Sequence, residues 1–157
     1  MRKTLAVLGA VAAGALAIRV WTGGGADGGA ASDPRLVLNR VWLDHMPRNE
    51  RDEINVFGAV TRQPLGFFQA ASRWKGCHEV FQYEAHEGEL RVLYPHTGER
   101  ERIRARAWSC HERDMDYCLE LSGASRGVKR YYSRKGFEIG ASASVEEARA
   151  LVESLAR

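Results

Sequence analysis

Two cysteines, Cys110 and Cys118, lie eight positions apart and flank a short segment rich in groups that bind metals or move protons. That segment contains one histidine and three carboxylates: His111, Glu112, Asp114 and Asp116. The set suggests a metal site, a redox-active thiol pair or a structural disulfide. Because neighbouring strand residues point to opposite faces, Cys110 and His111 cannot both bind one ion in extended backbone. No C-x-x-C or H-x-x-x-H spacing occurs, so the disulfide is favoured and we expect no metal site.

A hairpin in which Cys110 faces Cys118 also pairs small side chains with large ones. The inner pairs would be Ser109 with Leu119 and Ala107 with Leu121. Directly opposed Cβ atoms lie ~4.5 to 5.5 Å apart, which is close to what a disulfide requires. We therefore predict a Cys110–Cys118 disulfide, which is stable in an exported chain. The third cysteine, Cys77, is expected to be a buried thiol or an intermolecular link.

The remaining polar residues favour a protein without catalytic machinery. No zinc-protease helix, phosphate-binding loop or dinucleotide fingerprint occurs in the sequence. The histidines fall mostly in predicted turns or at strand edges, where they are solvated: His45, His78, His86, His96 and His111. Asp114 and Asp116 fit the hydrogen bonding of a turn better than an acid–base pair. We expect neither an enzyme nor a cofactor.

The N-terminal residues have the parts of a secretory signal. A basic pair, Arg2 and Lys3, precedes an apolar run that ends in an A-x-A cleavage pattern at residues 15–17. The predicted divisions are a signal peptide at 1–17, a flexible glycine-rich tether at 18–34 and one domain at 35–157. This organisation predicts a secreted or periplasmic protein. The alternative is an uncleaved segment that anchors the chain to a membrane.

The charge of the predicted mature chain is close to neutral. The whole sequence carries 23 basic and 20 acidic residues, and cleavage would remove Arg2 and Lys3 from the basic group. Proteins that bind nucleic acid normally concentrate basic residues on one face. We therefore expect no nucleic-acid partner, and the candidate partners are a small apolar ligand or another protein.

Short β-rich runs alternate with turn residues, which is typical of an antiparallel meander. The predicted strands are Leu36–Leu43, Ile54–Thr61, Leu65–Trp74, His78–Glu84, Glu89–Tyr94, Glu101–Cys110, Tyr117–Ser122 and Val128–Ser133. In the run RIRARAW, at 102–108, arginines alternate with small apolar residues, as in a half-buried strand. Ser144 and Glu147 form a capping box before an amphipathic C-terminal helix. We predict an all-β fold, an eight-stranded antiparallel up-and-down β-barrel with one C-terminal α-helix.

An export signal, eight antiparallel strands, a tryptophan in the first strand, a late arginine and a C-terminal helix resemble the lipocalin or calycin superfamily. In that family a first-strand G-x-W motif lies at the closed end of the barrel, and a basic residue from near the last strand packs over the tryptophan. The matching residues are Trp42 with Arg130, or with Arg126 as second choice. Arg40 stands where the motif has glycine. The resemblance covers residues 35–157 and implies structural roles for Trp42 and Arg130.

We predict that the barrel is a binding protein for an apolar or amphipathic small molecule. Small inward residues on the sixth strand leave room for it. The predicted lining residues are Val92, Ile103, Ala105, Ala107, Leu119 and Leu121. Alternatively, Phe67, Phe81 and Tyr83 fill the interior and the chain is a protein-interaction module, such as a protease inhibitor or an envelope-associated factor. An enclosed apolar space of ~300 Å³ or more would favour the carrier, whereas a packed interior would favour recognition by the surface.

Overall fold

The computed structural model describes residues 31–72 and 76–155. The predicted signal peptide at 1–17 and residues 18–30 of the predicted tether lie outside the described residues. Within the described ranges, no helix has the length and apolar character needed to cross a membrane.

Eight antiparallel strands form a closed barrel in which each strand pairs with the next along the chain and the last returns to the first. The strands are β1 (Arg40–Leu43), β2 (Ile54–Val60), β3 (Leu65–Ala71), β4 (Gly76–His86), β5 (Glu89–Leu93), β6 (Arg100–Glu112), β7 (Met115–Ser122) and β8 (Arg130–Ser133). One helix, α1 (Val145–Leu155), follows the barrel. The predicted fold class is therefore confirmed.

The first strand is shorter than predicted because a 3-10 helix, Pro34–Leu36, precedes it. Proline fixes the backbone angle at the start of this helix, and the Asp33 side chain accepts a hydrogen bond from the Arg35 backbone N–H at 3.0 Å. The next residue, Val37, packs into the barrel interior and accepts a 3.1 Å hydrogen bond from Trp42 Nε1. The N-terminal segment therefore covers one end of the barrel.

The seam between the first and last strands depends on the segment that follows β8. Within the described residues, the β1–β8 register consists of one pair, Leu43 opposite Tyr132. Backbone hydrogen bonds then extend the contact from Val41 to Phe137 at 2.9 Å and from Ile139 to Asn39 at 2.8 Å. Residues 137–139 thus complete the closure that β8 begins.

Helix α1 covers the outer faces of β1 and β2. Its predicted capping box is confirmed: the Ser144 N–H donates to Glu147 Oε2 at 2.7 Å, and the Glu147 N–H donates to Ser144 Oγ at 3.3 Å. The buried residues of the helix, Val145, Ala148 and Val152, lie in an apolar cluster outside the barrel. The apolar stripe of the helix therefore packs on the barrel wall, as its periodicity predicts.

The hairpin of β6 and β7 contains the predicted disulfide in a different register. Cys118 lies opposite Trp108 rather than opposite Cys110. A β-bulge between Ser109 and Glu112 shifts the pairing and places the Cα atoms of the two cysteines 5.7 Å apart. Up to Ser109 the register differs from the prediction by two residues, so the side chains of that stretch stay on their predicted faces although their partners change.

Candidate functional site

The six predicted lining residues all face the barrel interior. They belong to one buried apolar cluster: Val92, Ile103, Ala105, Ala107, Leu119 and Leu121. The alternation of β5, β6 and β7 brings them together, as the sequence pattern predicts. The space beside them is occupied by aromatic rings of the same cluster.

These aromatic rings are packed against one another inside the barrel. They are Phe57, Phe68, Phe81, Tyr83, Tyr94 and Tyr131. The Phe81 ring centroid lies 5.4 Å from that of Phe68, 6.2 Å from that of Phe57 and 6.0 Å from that of Tyr94. Such distances are those of direct ring packing. An eight-stranded barrel is just wide enough for its own side chains to fill, and these side chains supply the filling.

One of the three residues expected to fill the interior lies elsewhere. Phe81 and Tyr83 are inside, but Phe67 is outside the barrel in the cluster beneath α1. Its neighbour Phe68 takes the inward position, opposite Phe57 of β2. The prediction for Phe67 is therefore wrong by one residue, because both positions are aromatic and the sequence pattern does not distinguish them.

The connection between β7 and β8, residues 123–129, packs directly on the interior rings, and we call it the closing loop. Gly127 has φ +68°, and a Cβ added to it would lie 2.0 Å from Tyr131 Oη and 2.8 Å from Phe68 Cδ1. The Val128 N–H donates a 2.9 Å hydrogen bond to the same Tyr131 hydroxyl. Because only glycine leaves room for this approach, the closing loop lies directly on Tyr131 and Phe68.

Arg126 fastens the closing loop to β4 and to the start of β6. Its Nε lies 2.9 Å from Glu79 Oε2 on β4, and its Nη1 lies 3.1 Å from Glu101 Oε1 on β6. A third ion pair joins it to Glu99, just before β6. Its guanidinium carbon lies 4.0 Å from the ring centroid of Tyr94. One side chain therefore links the loop to the rim of the barrel.

The charges of this cluster stabilise one another. Burial alone would raise the pKa of Glu101, but hydrogen bonds from Ser125 and Tyr94 and the charge of Arg126 outweigh burial and hold that pKa below its usual value. Hydrogen bonds to Glu79 and Glu99 raise the pKa of Arg126, which therefore stays protonated. The cluster is an ion-pair network at neutral pH.

Sequence reasoning missed one pattern in the closing loop. Residues 123–127 have the G-x-S-x-G spacing of a nucleophile elbow, which requires a turn from a strand into a helix. Here the segment joins two antiparallel strands. Ser125 Oγ donates a hydrogen bond to Glu101, and no histidine contacts this serine among the described residues. Ser125 Oγ also accepts a hydrogen bond from Arg126 Nη1, so the serine belongs to the ion-pair network that holds the loop.

A second ion pair, also missed from the sequence, lies next to the seam of the barrel. Arg40, at the position of the motif glycine, is only 5% exposed. Its Nη2 lies 2.6 Å from Glu138 Oε1, its Nη1 donates to the Arg134 carbonyl at 3.1 Å, and its guanidinium lies 4.1 Å from the Tyr117 ring. Burial opposes ionisation of Glu138, but backbone hydrogen bonds and Arg40 lower its pKa. The pair joins β1 to the segment after β8.

The predicted contact between Trp42 and Arg130 is wrong. Trp42 is fully buried in the interior cluster, whereas Arg130 lies on the outer face of β8. The Arg130 guanidinium is 4.7 Å from the Trp108 ring, and its Nη2 is 2.8 Å from Glu112 Oε1. The second choice, Arg126, belongs to the closing loop. Trp42 is instead held by the N-terminal segment.

Five arginines lie together on the outside of the barrel, and we call them the arginine face. Four of them project from β6 and are exposed: Arg100, Arg102, Arg104 and Arg106. The fifth, Arg91 of β5, lies directly opposite Arg102 and has Glu89 at 3.5 Å. In the described part of the chain, none of the four β6 arginines forms an ion pair with a carboxylate. Arg91 and Arg102 carry like charges directly opposite each other, whereas Glu84 lies opposite Arg91, Glu89 opposite Arg104 and Glu120 opposite Arg106. The five arginines outnumber these three carboxylates, so the face carries an excess of positive charge.

The sequence indicates only part of the arginine face. The alternation in RIRARAW predicts that three arginines share one side of a strand. The position of Arg91 opposite Arg102 depends on the β5–β6 register, which no local pattern fixes. The near-neutral overall charge also conceals the face, because the acidic residues of the chain, including the three carboxylates around Arg126, balance the arginines in the total count.

Two depressions border the arginine face. The larger, about 920 Å³, is lined in part by Arg91, Arg100 and Arg102. The smaller, about 720 Å³, is lined in part by Ala31, Ser32, Arg102, Arg104 and Arg106. The Asp33 N–H donates a 2.7 Å hydrogen bond to the Ala107 carbonyl of β6. The N-terminal segment therefore reaches the barrel beside the arginine face.

The cysteines offer little to a metal ion. Cys110, Glu112 and Cys118 lie close enough together to surround one. The two sulfur atoms, however, are joined at 1.99 Å in the disulfide, so neither is a thiolate, and Glu112 is engaged by Arg130. Cys77 is exposed at the start of β4, which corrects the expectation of a buried thiol.

No protein-family model, curated protein or solved structure matches the chain. The closed antiparallel barrel of eight strands with its C-terminal helix is consistent with a lipocalin-like fold. Any function assigned to the chain therefore depends on its strand order and its side-chain geometry.

Proposed function

We propose that the chain is an exported, lipocalin-like binding module whose filled barrel is a scaffold and whose arginine face binds an anionic partner. The observation that carries the proposal is the row of four exposed arginines on β6, which form no ion pair within 4 Å among the described residues, although Glu89 and Glu120 lie across the strands from Arg104 and Arg106. Guanidinium groups bind carboxylates, sulfates and phosphates through paired hydrogen bonds. A row of them suits a partner with several negative charges.

The packed interior supports recognition by the surface over transport of a small molecule. Ring contacts such as Phe57 to Phe68, at 5.3 Å, occupy the space that a ligand would need. The closing loop adds Gly127 and Arg126 above these rings. Entry of a ligand would require the ion pairs of Arg126 to break, since they hold this loop in place.

Two observations favour an exported protein. The disulfide between Cys110 and Cys118 is of a kind that persists in oxidising compartments and is rare in the cytosol. The sequence before the described residues has the basic pair and the apolar run of an export signal. We therefore expect the arginine face to act outside the cytosol.

Heparin affinity chromatography tests the proposal, because heparin is a soluble polyanion. The Arg102→Gln/Arg104→Gln variant removes two charges from the arginine face. The matched control, Arg48→Gln/Arg51→Gln, removes two charges from the β1–β2 connection. We expect the first variant to elute at a clearly lower salt concentration and the control to elute close to the unmodified protein. Equal shifts for both variants would contradict a specific face.

Native mass spectrometry of protein purified from its source tests the scaffold role. We expect the mass of the polypeptide with one disulfide and no retained small molecule. A bound apolar molecule that is released only on unfolding would favour the carrier instead.

A further inference from the structure

We infer that the anionic partner of the arginine face is the phospholipid surface of a membrane, to which the apolar N-terminal run, retained as an anchor rather than cleaved as a signal, holds the barrel. This inference rests on the proposed function and names the partner. It combines the position of the arginine face with the point at which the chain reaches the barrel.

The described chain begins beside the arginines. Ala31 and Ser32 line the same 720 Å³ depression as Arg102, Arg104 and Arg106. The Asp33 hydrogen bond to Ala107 fixes this segment against β6. The described chain therefore begins on the arginine side of the barrel and not on the side that α1 covers.

The sequence of residues 1–30 contains a segment that is suited to a membrane. An apolar run at 4–17, preceded by Arg2 and Lys3, enters membranes either as a signal or as an anchor. The covalent chain from residue 18 to residue 30 spans at most about 45 Å when fully extended. If the apolar run stays in the bilayer, the arginine face remains near the lipid headgroups, and the tether raises its effective concentration there.

The charge and shape of the face fit a lipid surface. The four β6 arginines follow one strand, and successive members are two residues apart, about 7 Å along the strand. Arg91 adds a second row on β5. Long arginine side chains reach phosphate groups while their stems cover the sheet, and the attraction falls off within a Debye length of the surface.

A vesicle sedimentation experiment with the full chain tests the inference. Vesicles of phosphatidylcholine alone are compared with vesicles containing about one third phosphatidylglycerol, at low and at high salt. We expect anionic lipid to increase partitioning on the order of tenfold to a hundredfold at low salt, since each arginine near such a surface contributes roughly a fivefold factor and the carboxylates Glu84, Glu89 and Glu120 offset part of the charge. We expect high salt to remove this increase but to leave binding to neutral vesicles unchanged.

Matched variants distinguish an effect of the arginine face on lipid binding from an effect of net charge. Arg102→Gln/Arg104→Gln should lower the anionic-lipid increase by on the order of tenfold or more. Arg48→Gln/Arg51→Gln should leave it nearly unchanged. An increase that is the same in both variants, or absent in the unmodified chain, would overturn the membrane inference.

Heparin binding distinguishes failure of the membrane inference from failure of the proposed function. If the arginine face binds heparin but not anionic vesicles, the partner is a soluble polyanion, and only the membrane inference is overturned. If it binds neither, both proposals are wrong.

Discussion

The guanidinium of Arg126 lies 4.0 Å from the ring centroid of Tyr94, so the closing loop is held against the aromatic interior by a single charged side chain. The three carboxylates around it come from two places in the sequence, Glu79 on β4 and the neighbouring pair Glu99 and Glu101 at the start of β6. The interior is thus sealed by electrostatic contacts at its rim as well as by apolar packing within.

Replacing Arg126 should weaken the fold measurably. In Arg126→Gln, three neighbouring carboxylates lose their counter-charge, and we expect the free energy of unfolding to fall by about 1 to 2 kcal/mol, allowing for partial exposure of the cluster. Arg35→Gln is the control, because the Arg35 side chain is 91% exposed. Its effect should stay within about 0.5 kcal/mol. Urea unfolding of both variants is the measurement, and equal small effects would show that the ion pairs do not hold the loop.

A methyl group at Gly127 should be poorly tolerated. Its Cβ would lie 2.0 Å from Tyr131 Oη, so Gly127→Ala adds a steric clash to the backbone strain of φ +68°. We expect a loss of about 2 to 4 kcal/mol. Gly136→Ala is the matched control, because its φ is +91° but nothing lies within 4 Å of the added Cβ. The control should lose about 1 kcal/mol from strain alone. Equal losses would argue against close packing of the closing loop.

The fold should become less stable in acid. The pKa values of Glu101 and Glu138 are lowered in the folded protein, so each contributes stability that is fully present above the unfolded value of 4.5. That contribution is lost as the pH falls from 4.5 through the folded pKa values. We expect a lower urea midpoint at about pH 3 than at about pH 7. Glu101→Gln should reduce the difference, and an unchanged midpoint in acid would show that these carboxylates do not stabilise the fold.

Reduction of the disulfide should destabilise the β6–β7 hairpin. The loop closed by Cys110 and Cys118 is short, with a sequence separation of 8, so the entropic model gives roughly 2 to 3 kcal/mol. The double variant Cys110→Ala/Cys118→Ala should show this loss in urea unfolding without added reductant. Treating it with dithiothreitol should cause no further change, whereas the unmodified protein should respond. Equal stability of the oxidised and reduced unmodified protein would contradict the prediction.

The sequence pattern predicts features that depend on local alternation. Strands alternate inner and outer side chains, so the pattern correctly assigns Ala105 and Ala107 to the interior, and the capping box correctly locates the start of α1. Strand register and tertiary contacts cannot be predicted from a local pattern, because they depend on other segments of the chain. The bulge after Ser109 changes the cysteine register, and no local pattern indicates that Glu79 and Arg126 meet across the barrel rim.

The dependence of contacts on other segments also explains why Trp42 and Arg130 do not form the contact expected from the lipocalin motif. The motif pairs a tryptophan with a basic residue by sequence position, but the face on which Arg130 lies is set by the inward position of Tyr131 beside it. The buried arginine of the first strand is Arg40, two residues before Trp42. Its partner, Glu138, lies beyond the last predicted strand, where no pattern indicates a contact.

The seam has a consequence for how the chain matures. Arg40 and Glu138, which meet across it, are 98 positions apart in the sequence. During synthesis β1 leaves the ribosome early. One of its edges lacks its full set of backbone hydrogen bonds until residues 137–139 have also been synthesised. A chain that is only partly synthesised therefore cannot close the barrel. A polypeptide that crosses a membrane unfolded would close its barrel only after it reaches the far side.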